Sequence, residues 1–183
     1  MMKLTAKAEE KARKVRMVLL DVDGVLTDGR LTYQPDGTEL KTFHTHDGVG
    51  IRLAQKVGIE IGVITGRRSD AVKHRCMELG MTEVHQGNWQ KLPILEEILA
   101  RRGLSPEEVA FVGDDLPDLP VLRRVGFAVT VPDARPEVLE VADASSERIG
   151  GNGAVREILE AVIKAQGKWD NILASYEPGK GSR

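Results

Sequence analysis

Cysteine occurs once in the 183 residues, at Cys76, so no intrachain disulfide can form. Within the pattern DAVKHRCMELG that cysteine reads as a small buried hydrophobe of a helix. Aromatic residues are also scarce, at 4% of the chain, so a core drawn from the 41% of hydrophobic residues must rest on Val, Ile, Leu and Ala. No apolar run approaches the roughly 20 residues of a membrane-spanning helix. The first residues, MMKLTAKAEEKARKV, are charged and lack the apolar centre of a secretory signal. A cytoplasmic protein without a membrane partner is expected. Clusters of basic residues with interleaved aromatics are missing too. With a formal net charge of -2 and a pI near 6.1, that removes the electrostatic case for nucleic acid. The length suits a single domain over 1–183.

What the chain does have is concentrated first in Val18–Gly29, VLLDVDGVLTDG. Val15 to Leu20 is apolar except for Arg16, which is the pattern of a buried strand. The run then turns into carboxylates and glycines: Asp21, Asp23, Gly24, Asp28 and Gly29. Asp and Gly also form ordinary polar turns. Acid at the edge of an apolar core, however, is costly unless it is paired. Two carboxylates about 4 Å apart repel by roughly 4 kcal/mol at an effective dielectric near 20. A hard divalent cation relieves that repulsion, and Mg²⁺ suits a site that also keeps waters and a phosphate.

Periodicity and turn signals predict an alternation of helices and strands along the rest of the chain. A helix over Thr5–Lys14 precedes the first strand, and LTY and TELKTF around Pro35-Asp36-Gly37 read as a hairpin over 30–43. A helix runs from Asp47 to a stop at Gly58, Ile59–Ile64 is a strand, and Ser69–Leu79 is a helix capped by Ser69. Glu83–His85 is a strand, Asn88–Arg101 a helix and Val109–Val112 a strand, followed by a helix through Leu116–Arg124. Phe127–Val129, Pro136–Val141 and Ala154–Lys168 read as strand, helix and helix, and 177–183 as a mobile tail. The fold class is therefore α/β, a parallel sheet with helices on both faces.

In such sheets ligands bind beyond the carboxyl ends of the strands. Thr65-Gly66-Arg67 ends the second predicted strand with a hydroxyl and backbone N–H groups ahead of a helix, a place suited to phosphate oxygens. Lys91 stands near the start of a helix, where a cation opposes the macrodipole, and that conflict marks it for function. Gly113-Asp114-Asp115-Leu116-Pro117-Asp118 places three acids beyond another strand, a poor structural choice without a cation.

DVDGVLTDG, ITGR, QGNWQK and VGDDLPD, in this order and at these strand ends, resemble the four motifs of the haloacid dehalogenase superfamily. The resemblance implies a Rossmann-like fold and an Mg²⁺-dependent phosphatase. Asp21 would be the nucleophile and Asp23 the general acid/base, with Thr65, Gly66 and Lys91 binding phosphate. Asp21, the Asp23 carbonyl and Asp114 would hold Mg²⁺, supported by Asp118 and by Asp115, which would order Lys91 or the loop. ELKTF, DGVGI, RCMELG, GGNGAVREIL and AQGKW extend the likeness to the 3-deoxy-D-manno-octulosonate 8-phosphate phosphatase family, whose substrate is a sugar-acid phosphate of lipopolysaccharide precursor synthesis. His46 stands where many relatives carry arginine, so it is a candidate for the substrate carboxylate, as are Arg67, Arg75 and Arg156. His44 and His46 would alternate on one strand.

Neither Asp28 to Thr65 nor Thr65 to Lys91 leaves room for a cap domain, so a homo-oligomer, by analogy with capless relatives a tetramer, is expected to shield the site. Trp169, Ile172, Leu173 and Tyr176 suggest that Trp169–Arg183 covers an active site, a neighbour's rather than its own. Two other readings stay open: a phosphatase for a sialic-acid-type 9-phosphate, and a non-catalytic phosphoacceptor signalling domain, which also combines acids, Thr and Lys.

Overall fold

A computed structural model of the chain describes residues 2–177. Strand β1 (Met17–Leu20) is wholly buried, because its four apolar residues are flanked on both sides by other strands. The antiparallel hairpin β2 (Thr32–Tyr33) and β3 (Glu39–Leu40) forms a small separate sheet. The main sheet continues with β4 (Glu60–Thr65), β5 (Glu83–Gln86), β6 (Val109–Val112), β7 (Phe127–Thr130) and β8 (Ala144–Ser145). All six strands are parallel, in the order β5-β4-β1-β6-β7-β8. Leu20 aligns with Val63 of β4 and Val112 of β6, so β1 and β6 end at one level and β4 runs two residues further.

The helices are α1 (Ala6–Lys14), α2 (Thr45–Lys56), α3 (Asp70–Glu78), α4 (Lys91–Arg102), α5 (Leu119–Leu122), α6 (Pro136–Val141), α7 (Ala154–Ala165) and α8 (Trp169–Ala174). Side chains alternate along a strand, and β1 divides accordingly. Val18 and Leu20 join the core with Ile51 of α2, Cys76 of α3 and Ile158 of α7. Met17 and Leu19 face Leu95 and Ile98 of α4, Val121 of α5 and Phe111. Helices thus cover both faces, as expected, and among the described residues no cap domain interrupts the order of elements.

Several boundaries differ from the sequence expectation. The predicted Asn88 start of α4 moves to Lys91, and Leu116–Asp118 is a 3-10 turn ahead of a short α5. Ser69 sits at the α3 N-cap, but its hydroxyl does not cap. His44 and His46 are not on a strand. His44 is the N-cap of α2, its Nδ1 accepting from the His46 backbone at 3.2 Å, and His46 lies in the first turn. Strand β8 is only two residues long and is defined by its pairing with β7, so the sequence pattern does not signal it.

The segment after α7 is ordered against its own chain as far as residue 177, though Leu173 and Tyr176 stay exposed. It forms α8, Ile172 is buried in the core, and Lys56 reaches Ser175 Oγ at 2.7 Å. Lys168 donates to the Val57 carbonyl at 3.1 Å. Lys56 ends α2 with Val57 as its C-cap, just before the start of β4 and so at the end of the sheet opposite the strand ends that carry Asp21 and Thr65. Residues 169–177 therefore pack away from their own chain's acidic strand ends. Of the tail expected over 177–183, residues 178–183 lie outside the described residues.

Candidate active site

The carboxyl ends of β1, β4 and β6 converge on one cleft of about 130 Å³, lined by Asp21, Asp23, Thr65, Gly66, Arg67, Trp89, Lys91, Asp114, Asp115, Pro117 and Asp118. Asp21 follows β1 directly and continues its ladder, its N–H donating to the Val112 carbonyl at 2.8 Å. Asp114 follows β6 by two residues, and the last residue of β4 and the turn after it present Thr65 and Gly66. Asn88 N–H donates to the Thr65 carbonyl at 3.1 Å and Gly87 N–H to that of Arg67 at 3.1 Å. These bonds tie the loop before Lys91 to the phosphate-type turn.

Lys91, the first residue of α4, is 3% exposed, and its ammonium lies 2.9 Å from Asp21 Oδ1 and 2.6 Å from Asp118 Oδ1. Burial works against that charge, but Asp21 and Asp118 outweigh it and hold the Lys91 pKa above the ordinary lysine value. Asp118 is fully buried and uses both oxygens. Oδ1 meets Lys91, while Oδ2 accepts from the backbone N–H groups of Asp114 at 3.0 Å and Asp115 at 3.3 Å. Asp115 turns its carboxylate to the Leu116 N–H, at 2.7 Å, so it orders the loop, and Lys91 is held by Asp21 and Asp118 instead.

Electrostatically the cleft is strained. Burial, then the charges of Asp21, Asp118 and Asp115, push Asp114 up to about 8. Burial and Asp118 raise Asp21 to about 6, against the pull of Lys91. Asp21, Asp114 and Asp118 each offer an oxygen within 4.8 Å of the others, the one such cluster among the described residues. Asp114 Oδ1 is buried without a hydrogen-bond donor, and Asp21 Oδ1 has only the Lys91 ion pair, without hydrogen-bond geometry. Since Asp118 is already saturated, the free lone pairs belong to Asp21 and Asp114. Hard carboxylate oxygens, crowded and short of donors, fit a divalent cation such as Mg²⁺.

Of the other expected contacts, Arg67 lies in the cleft. Arg75 pairs with Glu78 at 2.9 Å and is not among the lining residues. His46 and Arg156 line a separate depression with Val49, Arg148 and Gly153. Sequence reasoning missed three features. Trp89, 65% exposed, lies against Gly66, where a Cβ would meet the indole at 2.9 Å. Lys41 reaches Asp23 from the hairpin. Gly150 and Gly151 are not a flexible lead into α7: a Cβ on Gly150 would overlap the Gly24 carbonyl, and one on Gly151 the backbone of Thr27 and Asp28. The glycines let this loop clasp the segment that carries Asp21 and Asp23. Only their density in GGNG hinted at it.

Comparison with known proteins agrees with this geometry. A family model for haloacid dehalogenase-like hydrolases matches residues 77–158. The chain is 44% identical over 167 residues to the 3-deoxy-D-manno-octulosonate 8-phosphate phosphatase of Escherichia coli B/BL21-DE3, covering 91% of this chain and 89% of that one. The K12 enzyme is 46% identical over 160 residues, covering 87% and 85%. The crystal structure of the Moraxella catarrhalis phosphatase, in complex with magnesium, phosphate and KDO, superposes with a TM-score of 0.91 at 38% identity, over 93% of this chain and 98% of that one. The Yersinia pestis enzyme superposes with a TM-score of 0.89 at 38% identity, over 93% and 95%. With identity at this level along nearly the whole length, and the fold shared, the chain belongs to the 3-deoxy-D-manno-octulosonate 8-phosphate phosphatase family of haloacid dehalogenase-like hydrolases.

Proposed function

We propose that this chain hydrolyses 3-deoxy-D-manno-octulosonate 8-phosphate to the free sugar acid and inorganic phosphate. The observation that carries the reading is the meeting of Asp21, Thr65, Lys91 and Asp114 in one cleft, in a chain so similar to phosphatases of that name.

Mg²⁺, held by Asp21, Asp114 and the carbonyl of Asp23, would supply neutralising charge between the nucleophile and the phosphoryl oxygens. The Thr65 hydroxyl and the Gly66 N–H bind and orient those oxygens, and Lys91 adds a cation that its burial makes effective. Asp21 attacks phosphorus in line. The ester P–O bond breaks, Asp23 gives a proton to the departing alkoxide, and an aspartyl phosphate remains on Asp21. Water then attacks, Asp23 takes its proton, and phosphate leaves with Asp21 regenerated. Asp118 holds Lys91 and the Asp114 loop in place.

The reading includes a homo-oligomer, a tetramer by analogy with capless relatives. It is supported by the capless cleft and by Leu31, Tyr33 and Leu40, which expose apolar surface on the hairpin. Light scattering on the purified chain tests it, and a monomer at micromolar concentration would remove it. The substrate is tested by comparing turnover of the octulosonate 8-phosphate with that of a sialic-acid-type 9-phosphate in the presence of Mg²⁺. A clear preference in kcat/KM for the former is expected. Preference for the 9-phosphate would reassign the substrate, and a long-lived phosphorylated Asp21 without turnover would support a signalling domain.

A further inference from the structure

The hairpin carries a buried cation that the four motifs leave unexplained. Lys41, one residue beyond β3, has a side chain only 2% exposed. Its ammonium hydrogen-bonds Asp23 Oδ1 and lies 3.3 Å from Glu39 Oε1. Arg67, just past β4, closes the figure: Nε is 3.5 Å from Asp23 Oδ2, Nη2 pairs with Glu39 Oε2, and the same Nη2 donates to the Tyr33 hydroxyl at 3.2 Å. Two cations and two carboxylates thus alternate in a closed ring. Each Asp23 oxygen has its own cation, and the two cations come from different elements.

A hairpin of two-residue strands gains little from an ammonium taken out of water, because desolvating a charge is expensive and repaid only with good geometry. What the ring does restrict is the plane of the Asp23 carboxylate. A free aspartate rotates about two side-chain bonds, whereas the Lys41 hydrogen bond at Oδ1, with the Arg67 ion pair beside Oδ2, narrows that rotation and leaves Oδ2 without a hydrogen bond from Arg67 Nε. We propose that Lys41 is a positioning residue for the reaction, aiming the Asp23 carboxyl group at the leaving-group oxygen, with Glu39 and Arg67 completing the clamp. The hairpin is then part of the catalytic apparatus as well as an exposed edge. The inference rests on the reading of Asp23 as the group that protonates the alkoxide.

The test is a double-mutant cycle of wild type, Lys41→Met, Asp23→Asn and the double variant. Each is assayed by single-turnover release of the alcohol, which reads the phosphoryl-transfer step before water attacks, with p-nitrophenyl phosphate, whose leaving group needs no proton, and with an alkyl phosphate, whose leaving group does. Misplacing a catalytic group by about 1 Å costs on the order of 100-fold. Lys41→Met is therefore expected to lower the rate of that step for the alkyl phosphate by about 10- to 100-fold, with the p-nitrophenyl ester changed less than about threefold. Adding Lys41→Met to Asp23→Asn should cost nothing more. Mg²⁺ affinity, read by calorimetry without substrate, should stay within about twofold, since Asp21 and Asp114 are untouched.

Equal losses on both substrates would mark Lys41 as merely structural, and additive losses in the cycle would show that it does not act through Asp23. Either result overturns the proposal. If Asp23→Asn itself shows no leaving-group dependence, the acid role of Asp23 falls and this inference falls with it. Should Lys41→Met not fold, Lys41→Gln keeps a donor but not the charge, and the same differential is read from it.

Discussion

Removing the Asp118 side chain should unfasten the site from within. Asp118 is 0% exposed and its two oxygens satisfy three donors: the Lys91 ammonium at 2.6 Å and the N–H groups of Asp114 at 3.0 Å and Asp115 at 3.3 Å. Asp118→Ala leaves a buried ammonium with Asp21 as its sole counter-ion. Breaking a buried pair in this way costs about 3–5 kcal/mol. Two backbone donors also lose their acceptor, at about 1–3 kcal/mol each if they stay dry. Water admitted to the cavity offsets part of this, so a net loss of about 4 kcal/mol is expected, a large share of a typical 5–15 kcal/mol. Asp118→Asn keeps the shape and one acceptor oxygen, and should cost about 1–2 kcal/mol. Urea denaturation at fixed protein concentration, without Mg²⁺, measures both. The reasoning is refuted if the Ala variant lies within about 1 kcal/mol of wild type, or if Asn costs as much as Ala.

Asp21→Asn removes the nucleophile and keeps its shape, so phosphate release should be abolished while far-UV dichroism is retained; a near wild-type rate would sink the aspartyl-phosphate mechanism. Gly150→Ala forces a Cβ into the Gly24 carbonyl, and should cost about 1–3 kcal/mol and depress turnover together; an unchanged melting temperature with unchanged kcat would show that the clasp is not needed. Glu83 sits 2.7 Å from Arg101 and also pairs with His85 and Arg102, so its pKa drops, against burial, from 4.5 to about 2. A depressed carboxylate contributes stability above its ordinary pKa and loses it as pH falls from 4.5 towards 2. The full shift is worth about 3 kcal/mol, reduced to about 1–2 because Arg101 is half exposed and solvent screens it. Glu83→Gln should lose that amount at neutral pH and flatten the acid limb of a denaturation series, and parallel curves for the two proteins would refute it.

Much of this architecture was written locally. An apolar run ending in Asp21, apolar strands at β4 and β6 ending in Thr65-Gly66 and Gly113-Asp114, and helices between them are features of consecutive residues. Period and turn chemistry therefore reveal them without knowledge of distant neighbours. Lys91 stood out for the same kind of reason, as a cation at a helix N-terminus. The register of β4 and β6 on β1 then needed only the parallel pairing such a pattern enforces, and the acids met where the strands end.

What tertiary structure alone decided depends on contacts between segments far apart in the chain. Nothing local in Lys41 distinguishes it from a solvated lysine until the hairpin folds down onto Asp23. Gly150 is hemmed in only because Gly24 lies against it. Asp115 and Asp118 look equivalent in DDLPD, yet one caps its own loop and the other grips Lys91 across 27 positions of sequence. The apolar residues after α7 suited a cover or a core equally well, since hydrophobicity records that a side chain seeks burial and not which surface receives it. Ile172 joined the core while Leu173 and Tyr176 stayed exposed, and that division belonged to the assembled fold.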